Sequence, residues 1–402
     1  MPEKIPMEIL FSPQFGADPY ALYTDLREKG PVHPIDFPPG TNSFLVIDYA
    51  HGRAALADPR MSKDMRNAGE WFRARAAEDK ILFGTSLLTS DPPDHTRLRR
   101  LVSKAFTPRR VEDLRPRVQE ITDELINAMT SKGEADLIEE FAFPLPIIVI
   151  CELLGIPAED RESFREWSTL LITPDLTEEI HRRRKQAGND MWDYFRRMIA
   201  ARRAQPEGDL ISALLVARDE DGLLTEDELL SLLSLLLIAG HETTVNLIGN
   251  GMAALLRHPD QLALLRDRPD LLPPAIEEFL RYDGPVERSS IRIAMEDLEI
   301  AGTPIPKGSM VHVSLGAAGR DPDGLADPNR LDITREDSRH VAFGHGIHFC
   351  LGAPLARLEG QIAFGSLLSR LPGIELACPP DRLTWKQTGS IVRGLTTLPV
   401  RW

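Results

Sequence analysis

Residues 343–352 of this chain read Phe-Gly-His-Gly-Ile-His-Phe-Cys-Leu-Gly, which sets one cysteine in a glycine-rich loop directly before an apolar run with helical spacing. The unpaired N–H groups and positive dipole of a helix N-terminus favour an anion, so they stabilise a thiolate at Cys350. A thiolate is a good ligand for a soft metal centre. Gly346 and Gly352 lack a Cβ, and we expect them to let the backbone approach a flat cofactor. Phe343 is placed to keep water from the sulfur.

The loop on its own leaves two other interpretations open. An isolated cysteine is most often a small buried apolar side chain. A structural zinc site is the second alternative, because His345, His348 and Cys350 lie close together in the sequence. That site would have three ligands, and no second Cys/His pair follows at the usual zinc spacing.

The composition indicates one large soluble domain over residues 1–402. The chain has 402 residues and no Gly/Ser linker or repeat that would divide it. Three cysteines do not make a disulfide framework, which favours a reducing cytoplasm. The first residues lack signal-peptide architecture, and the apolar run Leu229–Ala239 is too short to cross a bilayer, so we expect a cytoplasmic protein without membrane association. A net charge of −14 argues against general nucleic-acid binding.

Hydrophobic periodicity predicts a mainly α-helical protein with small β-sheets. A strand candidate covers 42–48, and strand-like patterns return over 289–300 and near the C-terminus. The predicted helices cover 18–30, 94–106, 111–130, 157–172, 176–204, 210–218, 225–258 and 272–283. Residues 60–93 are irregular in pattern, which is typical of a lid or binding loop.

The helix predicted over 225–258 is the most informative of these. Thr225 and Glu228 form a capping box, and Pro259 ends the pattern. Its middle is apolar on nearly all sides and must be buried by other helices. Residues 239–244, Ala-Gly-His-Glu-Thr-Thr, set polar groups in that buried stretch, where they cost free energy unless they are bonded. A kinked core helix, weakened at Gly240, is the alternative without function.

Residues 343–352 resemble the haem-binding signature Phe-x-x-Gly-x-x-x-Cys-x-Gly of the cytochromes P450 at every fixed position. The resemblance implies haem b (iron protoporphyrin IX), with Cys350 as the axial ligand of the iron and Phe343 and Gly344 beside it. The expected fold is that of the family, with haem between a long central helix and the cysteine loop with its following helix. A thiolate ligand favours cleavage of the O–O bond.

Residues 239–244 resemble the oxygen-binding groove of the same family, Ala-Gly-x-(Asp/Glu)-Thr-(Thr/Ser). The resemblance implies that Gly240 makes room for dioxygen over the haem. It gives Thr243 and Glu242 catalytic roles, the first through its hydroxyl and the second as the connection to bulk protons.

Two further sets of residues agree with this resemblance. Glu278 and Arg281 match the family's Glu-x-x-Arg, a buried pair that Arg335 would complete, although the usual aromatic before the following Asp is Leu331 here. The second set would bind the haem propionates, which suit the fork of an arginine; it consists of His95, Arg99, Arg292 and His348.

The resemblance covers about residues 18–402 and is greatest to soluble actinobacterial enzymes that hydroxylate macrolides and other polyketides. It implies a monomeric monooxygenase that inserts one oxygen atom of O2 into a bulky hydrophobic small molecule, by hydroxylation or epoxidation. The residues that would line the substrate pocket are Leu87, Ala239, Val286 and Ile391. The alternatives are a haem-thiolate enzyme that uses peroxide or rearranges its substrate, and a non-enzymatic haem sensor.

Electrons are expected from a ferredoxin and its NAD(P)H-dependent reductase, because no flavin or iron–sulfur pattern is fused to the chain. Between Thr96 and Val118 there are eight basic and two acidic residues. This basic segment is either a solvated helix face or a docking patch for an acidic protein partner.

Overall fold

The computed structural model describes residues 4–38, 40–68, 85–173, 177–221, 224–386 and 391–402. Residues 69–84 of the irregular loop predicted over 60–93, and the predicted first residue of the 176–204 helix, lie outside these residues. Within them, the α-helices in chain order are α1 Met7–Leu10, α2 Pro13–Ala17, α3 Pro19–Arg27, α4 Tyr49–Ala57, α5 Asp94–Ala105, α6 Pro108–Asp113, α7 Arg115–Thr130, α8 Pro144–Leu154, α9 Arg161–Ile172, α10 Glu178–Ala204, α11 Leu210–Asp221, α12 Glu226–Leu256, α13 Pro259–Asp267, α14 Leu272–Asp283, α15 Leu315–Gly319 and α16 Ala353–Arg370.

The strands are short and few, as expected from the sequence. In chain order they are β1 Val32–Ile35, β2 Ser43–Val46, β3 Met61–Ser62, β4 Glu134–Asp136, β5 Arg292–Ala294, β6 Leu298–Ile300, β7 Thr303–Ile305, β8 Met310–Val313, β9 Glu375–Leu376 and β10 Pro399–Arg401. A mainly α-helical protein with small sheets is thereby confirmed.

Contacts between Cα atoms group the chain into two compact units, each made of separated stretches. The first contains residues 1–61, 115–145 and 243–402, and the second contains 62–114 and 146–242. Helix α12 belongs to both, because its first half lies in the second unit and its second half in the first. The prediction of one domain over residues 1–402 remains a prediction.

The main sheet packs on both of its faces. Its strand order is β1-β2-β8-β5-β3, with β2 and β8 parallel and β1–β2 and β5–β8 antiparallel. Side chains alternate between faces along a strand. Phe44 and Val46 of β2 accordingly join one apolar cluster with Val311 and Val313, whereas Leu45 joins a second cluster with Tyr23 of α3. Both faces being covered explains why every residue of β2 is buried.

Two predicted elements are each divided in the structure. The helix predicted over 111–130 is two helices, α6 and α7, because Pro116 has no N–H to bond the Glu112 carbonyl and cannot continue an α-helix. Leu114 instead donates to the Val111 carbonyl at 3.1 Å in a tighter turn. The strand pattern of 289–300 forms β5 and β6, separated by exposed residues 295–297.

Helix α12 has the predicted N-terminus and a buried middle. The Thr225 and Glu228 side chains bond each other's backbone N–H groups at 3.2 and 2.8 Å, as a capping box requires. By length and composition alone the helix could span a membrane. The protein itself buries 67% of its most apolar window, however, which is the environment of a core helix.

The predicted pair of Glu278 and Arg281 is a fully buried ion pair at the centre of the first unit. Arg281 donates to both carboxylate oxygens of Glu278 at 2.7 and 2.8 Å, and Arg335 approaches the same carboxylate at 3.4 Å. The remaining N–H groups of Arg281 donate to the carbonyls of Gly319, Pro328 and Arg330. The three bonds to carbonyls tie α14 to the end of α15 and to residues 328–330, which explains how the pair organises this side of the unit.

We expect Arg281→Met to lower the free energy of unfolding by about 3–5 kcal/mol, because the buried Glu278 carboxylate would lose its main partner. Urea unfolding followed by circular dichroism measures this loss. The matched control is Arg268→Met, which removes an exposed arginine paired with Asp270 on the surface. Equal unfolding midpoints for the two variants would contradict a central role for the buried pair.

Candidate active site

The cysteine loop of the first unit is held closed by its own backbone. Cys350 donates its N–H to the Phe343 carbonyl at 2.9 Å, and Gly344 donates to the Val341 carbonyl at 2.7 Å. Gly344 has φ +72°, a left-handed conformation that side chains rarely adopt. Helix α16 begins at Ala353, two residues after Leu351, so the predicted position of Cys350 just before a helix is confirmed. The Cys350 residue is exposed.

Gly346 packs the loop against α4 rather than against a cofactor. Its φ is +75°, and a Cβ there would lie 3.0 Å from Ala57 Cα and 3.2 Å from the Leu56 carbonyl oxygen. The space that this glycine provides is therefore filled by protein, and the expectation that it admits a flat cofactor is wrong. At Gly352 a Cβ would lie 3.9 Å from Cys350 Sγ, an ordinary contact distance.

Phe343 lies under a charged cluster that sequence reasoning missed. The guanidinium of Arg357 sits 4.6 Å from the Phe343 ring centroid. Glu277 accepts two hydrogen bonds from Arg357 at 2.6 and 2.8 Å and contacts His340 at 3.1 Å. Burial alone would raise the pKa of Glu277, but the bonds from Arg357 and His340 lower it to about 2. Arg357, placed seven residues after Cys350, also interacts electrostatically with that thiol.

Arg292 and the cysteine loop meet at the same turn of α4. Arg292 is buried on β5, and it donates to the Leu56 carbonyl at 3.1 Å and to the Ser290 carbonyl at 3.4 Å. The Leu56 carbonyl is the group that also lies against Gly346. His348 ends a 3₁₀ turn over Gly346–His348 and is half-buried. The first unit thus brings Arg292 and the Gly346 end of the cysteine loop to one end of α4.

His95 and Arg99 lie in the first two turns of α5, in the second unit. His95 is buried, and its backbone N–H donates to the Asp91 carbonyl at 2.9 Å. Burial and the neighbouring Arg99 both lower the pKa of His95, so its imidazole is neutral at pH 7 and Arg99 carries the positive charge. The predicted placement of the two side chains on one helix face is consistent with this mutual effect.

One face of α12 is open although the helix is otherwise buried. Between Leu229 and Ala253 every residue is buried except six, which we call the open stripe: Leu235, Leu236, Ile238, Ala239, Gly240 and Thr243. At 100° per residue the six lie within about 100° of Ala239, the one fully exposed member. Thr243 lies on the stripe, and Glu242, which is buried, flanks it. Gly240 adjoins Ile150, because a Cβ there would lie 3.1 Å from Ile150 Cδ1.

The four predicted pocket residues have different environments. Ala239 belongs to the open stripe, and Ile391 is exposed. Val286 is half-buried and pairs with Val392 in an isolated bridge, so it lies next to Ile391 in the first unit. Leu87 is buried, whereas its neighbour Leu88 is exposed.

Glu359 is a buried acid that the sequence patterns did not reveal. It lies on α16, is 1% exposed and is hydrogen-bonded to Thr244 of α12. Burial raises the pKa of Glu359 to about 8, so this carboxyl is protonated at neutral pH. A lone Glu within the apolar pattern of α16 was the available sequence signal.

Within the described part of the chain, protein side chains alone do not form a metal site. Among the described residues, which include the whole cysteine loop, no three His, Cys, Asp or Glu side chains are arranged to hold a metal ion. The zinc alternative for His345, His348 and Cys350 therefore has no support. The first unit offers one exposed thiol, in a loop that packs on Leu56, and a buried arginine that bonds Leu56, and this set suits a metal held by another group that carries carboxylates.

Comparison with known proteins decides the family, because a cytochrome P450 family model matches residues 5–387. The chain belongs to the cytochrome P450 family. It is 50% identical over 391 residues to cytochrome P450 monooxygenase PikC of Streptomyces venezuelae, covering 96% of this chain and 92% of PikC. It is 44% identical to 6-deoxyerythronolide B hydroxylase of Saccharopolyspora erythraea, with 98% of each chain covered. A solved cytochrome P450, CxnD, described as acting in C–S bond formation in chuangxinmycin biosynthesis, matches with a TM-score of 0.94 and 47% identity over 100% of this chain and 98% of its own.

This cytochrome P450 is thus a monooxygenase of the family that uses haem b as a thiolate-ligated cofactor. The predicted family and fold are confirmed by the family model and by the solved relative. Each unit contains side chains of a kind that haem requires. The first unit presents an exposed cysteine, with the arginine that could meet a carboxylate, and the second presents a neutral imidazole beside a guanidinium.

We expect Glu277→Gln to reduce the stability of this cytochrome P450 in a pH-dependent way. The depressed pKa of Glu277 means that its stabilising contribution is present above pH 4.5 and is lost as the pH falls toward 2. The drop from 4.5 to about 2 corresponds to about 3 kcal/mol at pH 7, an upper value because the side chain is partly exposed. Unfolding free energies between pH 7 and pH 3 measure the difference from the unsubstituted protein.

That difference should shrink over the acidic half of the pH range. Glu296→Gln serves as the control, because Glu296 is an exposed acid whose partner Arg60 lies 3.5 Å away. A stability difference for Glu277→Gln that stays constant from pH 7 to pH 3 would contradict the assigned charge–charge interaction.

Proposed function

We propose that this protein inserts one oxygen atom of O2 into a bulky hydrophobic polyketide or macrolide, by hydroxylation or epoxidation, with Cys350 as the axial ligand of the haem iron. The open stripe on α12 is the observation that carries this proposal. A helix that is otherwise buried leaves one face open where a threonine and a flanking acid sit together. A core helix without function would have no reason to leave that face uncovered.

Glu242 and Thr243 are the residues to which we assign the chemistry of proton delivery. When bound, the haem thiolate group supplies activation of O2, with one oxygen atom going to the substrate and the other leaving as water. The Thr243 hydroxyl on the open stripe can both accept and donate a hydrogen bond, so it can hold a water and pass on its proton. Glu242, next to it and buried, is the acid that replenishes this proton from solvent.

Four donors are assigned to the propionates of haem. Arg292 and His348 would supply two from the first unit, and His95 and Arg99 would supply two from the second. Each arginine meets a carboxylate with a charge-assisted bond, and the neutral ring of His95 can donate through an N–H without the cost of burying another charge. Phe343 and Gly344 complete the loop that presents Cys350, and Gly240 leaves the stripe without a side chain.

The substrate class rests on the relatives and on the apolar character of the candidate pocket. One relative is named for hydroxylation of 6-deoxyerythronolide B. Ala239, Val286 and Ile391 are small or apolar and at least partly accessible. Leu87 is also assigned to the pocket; it is buried, and its neighbour Leu88 is exposed. Another relative is named for C–S bond formation, so the oxidised product itself must be identified.

A ferredoxin and its NAD(P)H-dependent reductase are the proposed electron donors to a soluble, cytoplasmic monomer. Fewer residues of the basic segment are available to a partner than the sequence indicates, because Arg97 forms ion pairs with Glu228 of α12 and with Asp94. Arg100, Lys104, Arg109 and Arg110 are exposed on α5 and α6 of the second unit. These four are the residues we assign to an acidic partner, since opposite charge speeds encounter.

Thr243→Ala tests the function, in an assay with ferredoxin, reductase and a substrate chosen from a macrolide panel by the shift of the haem absorption band. We expect NADPH consumption to continue while product per NADPH falls severalfold and hydrogen peroxide rises, because the hydroxyl that passes the proton is gone. Thr243→Ser should retain coupling. Ser234→Ala is the matched control, because it removes a buried hydroxyl of α12 that bonds only the Leu230 carbonyl of its own helix.

Unchanged product per NADPH in Thr243→Ala would count against the monooxygenase assignment of Glu242 and Thr243. It would favour the alternatives that do not need the pair, an enzyme using peroxide or rearranging its substrate, or a haem sensor.

A further inference from the structure

Both ring nitrogens of His241 have a hydrogen-bond partner, although the residue lies in the middle of an apolar helix. The residue is 0% exposed and directly precedes Glu242. Its Nδ1 lies 2.9 Å from the Leu237 carbonyl oxygen of α12. Its Nε2 lies 3.2 Å from Ser168 Oγ, a fully buried hydroxyl on α9 in the same unit. The ring therefore joins α12 to a helix that is 73 residues away in the chain.

The protons on this link can be assigned from the partners. A carbonyl oxygen only accepts, so Nδ1 carries the ring proton and donates to Leu237. In a neutral ring Nε2 is then an acceptor, and the single proton of the Ser168 hydroxyl is shared between Nε2 and the Arg165 carbonyl. The same hydroxyl lies 3.1 Å from the Arg165 carbonyl, which keeps its oxygen close to its own helix. Two helices are thus connected through two buried side chains.

The link sits on the side of α12 opposite the open stripe. At 100° per residue, His241 is rotated by 200° from both Ala239 and Thr243. The preceding position, Gly240, has no side chain of its own to fix the helix, and Ile150 fills the space beside it. Glycine also weakens a helix at this point. His241 is consequently the first side chain after this weak point that can set the rotation of α12, and hence the direction in which the next two residues face.

We propose that the His241–Ser168 hydrogen bond is a positioning contact that holds Glu242 and Thr243 in register on the open stripe. This inference rests on the proposed role of that pair. His241 touches no reacting atom, so it acts through the helix: without the bond to α9 the segment around Gly240 loses a restraint on its rotation, and the acid and the hydroxyl lose their alignment. The expected consequence is poor coupling rather than loss of haem.

Four variants test this inference in the holoenzyme: Ser168→Ala, His241→Phe, the double variant of these two, and Ser168→Thr. His241→Phe keeps a ring of similar size, the Leu237 carbonyl remains within the helix backbone, and Ser168 retains the Arg165 carbonyl. We expect each single variant to lower product per NADPH severalfold, and the double variant to be no worse than either, because all three lack the same bond. Ser168→Thr keeps the hydroxyl and should stay coupled.

Backbone amide hydrogen exchange gives a readout that does not depend on turnover. We expect faster exchange over residues 240–244 in Ser168→Ala and His241→Phe, with the absorption band of the reduced CO complex unchanged. Ser234→Ala, which removes a hydroxyl bonded within α12 only, should change neither exchange nor coupling. Additive losses in the double variant, or unchanged exchange over 240–244, would overturn the positioning role.

Thr243→Ala in the same assay separates failure of this inference from failure of the proposed function. If Thr243→Ala uncouples while the His241 and Ser168 variants do not, the positioning contact is refuted and the monooxygenase function stands. If Thr243→Ala also leaves coupling unchanged, the assigned role of the acid and the alcohol is refuted, and the positioning inference falls with it.

Discussion

Burial of α12 is the constraint on which the rest of the structure depends. The helix is apolar around most of its circumference and must be covered, yet it carries polar side chains that lose free energy if they are covered without partners. The protein supplies those partners one by one: Ser168 for His241, Glu359 for Thr244 and Lys386 for Asn246. Thr243 differs from these three in its exposure, because it lies on the open stripe.

In the first unit, backbone bonds and close packing hold the cysteine loop in place. A backbone bond from Cys350 to Phe343 closes the loop, Gly346 lets it pack against α4, and α4 in turn accepts a hydrogen bond from Arg292. Behind the loop, Arg357 and Glu277 cover Phe343 with a charge pair. The backbone at Cys350, the guanidinium of Arg292 and the ring of Phe343 are thereby each held by neighbouring residues, which is the preorganisation that a cofactor site requires.

Local patterns of the sequence predicted the elements of the site well, because they depend on residues close together in the chain. The capping box at Thr225, the cysteine before α16, and the Glu278–Arg281 pair with Arg335 are all confirmed. Contacts between distant residues have no periodic signature, so His241 with Ser168 and Arg357 with Glu277 were not foreseen. The role of Gly346 was misassigned for the same reason, since Ala57 lies far from it in sequence.

Cys350 as the axial ligand of haem is the claim on which the functional account depends, and the absorption spectrum of the reduced protein with CO tests it most directly. We expect the unsubstituted protein and Cys378→Ser to give the red-shifted band of thiolate ligation, because Cys378 is a partly exposed cysteine far from the loop in sequence. Cys350→Ser should lose that band. A Cys350→Ser protein that keeps the band, or an unsubstituted protein that lacks it, would contradict the account.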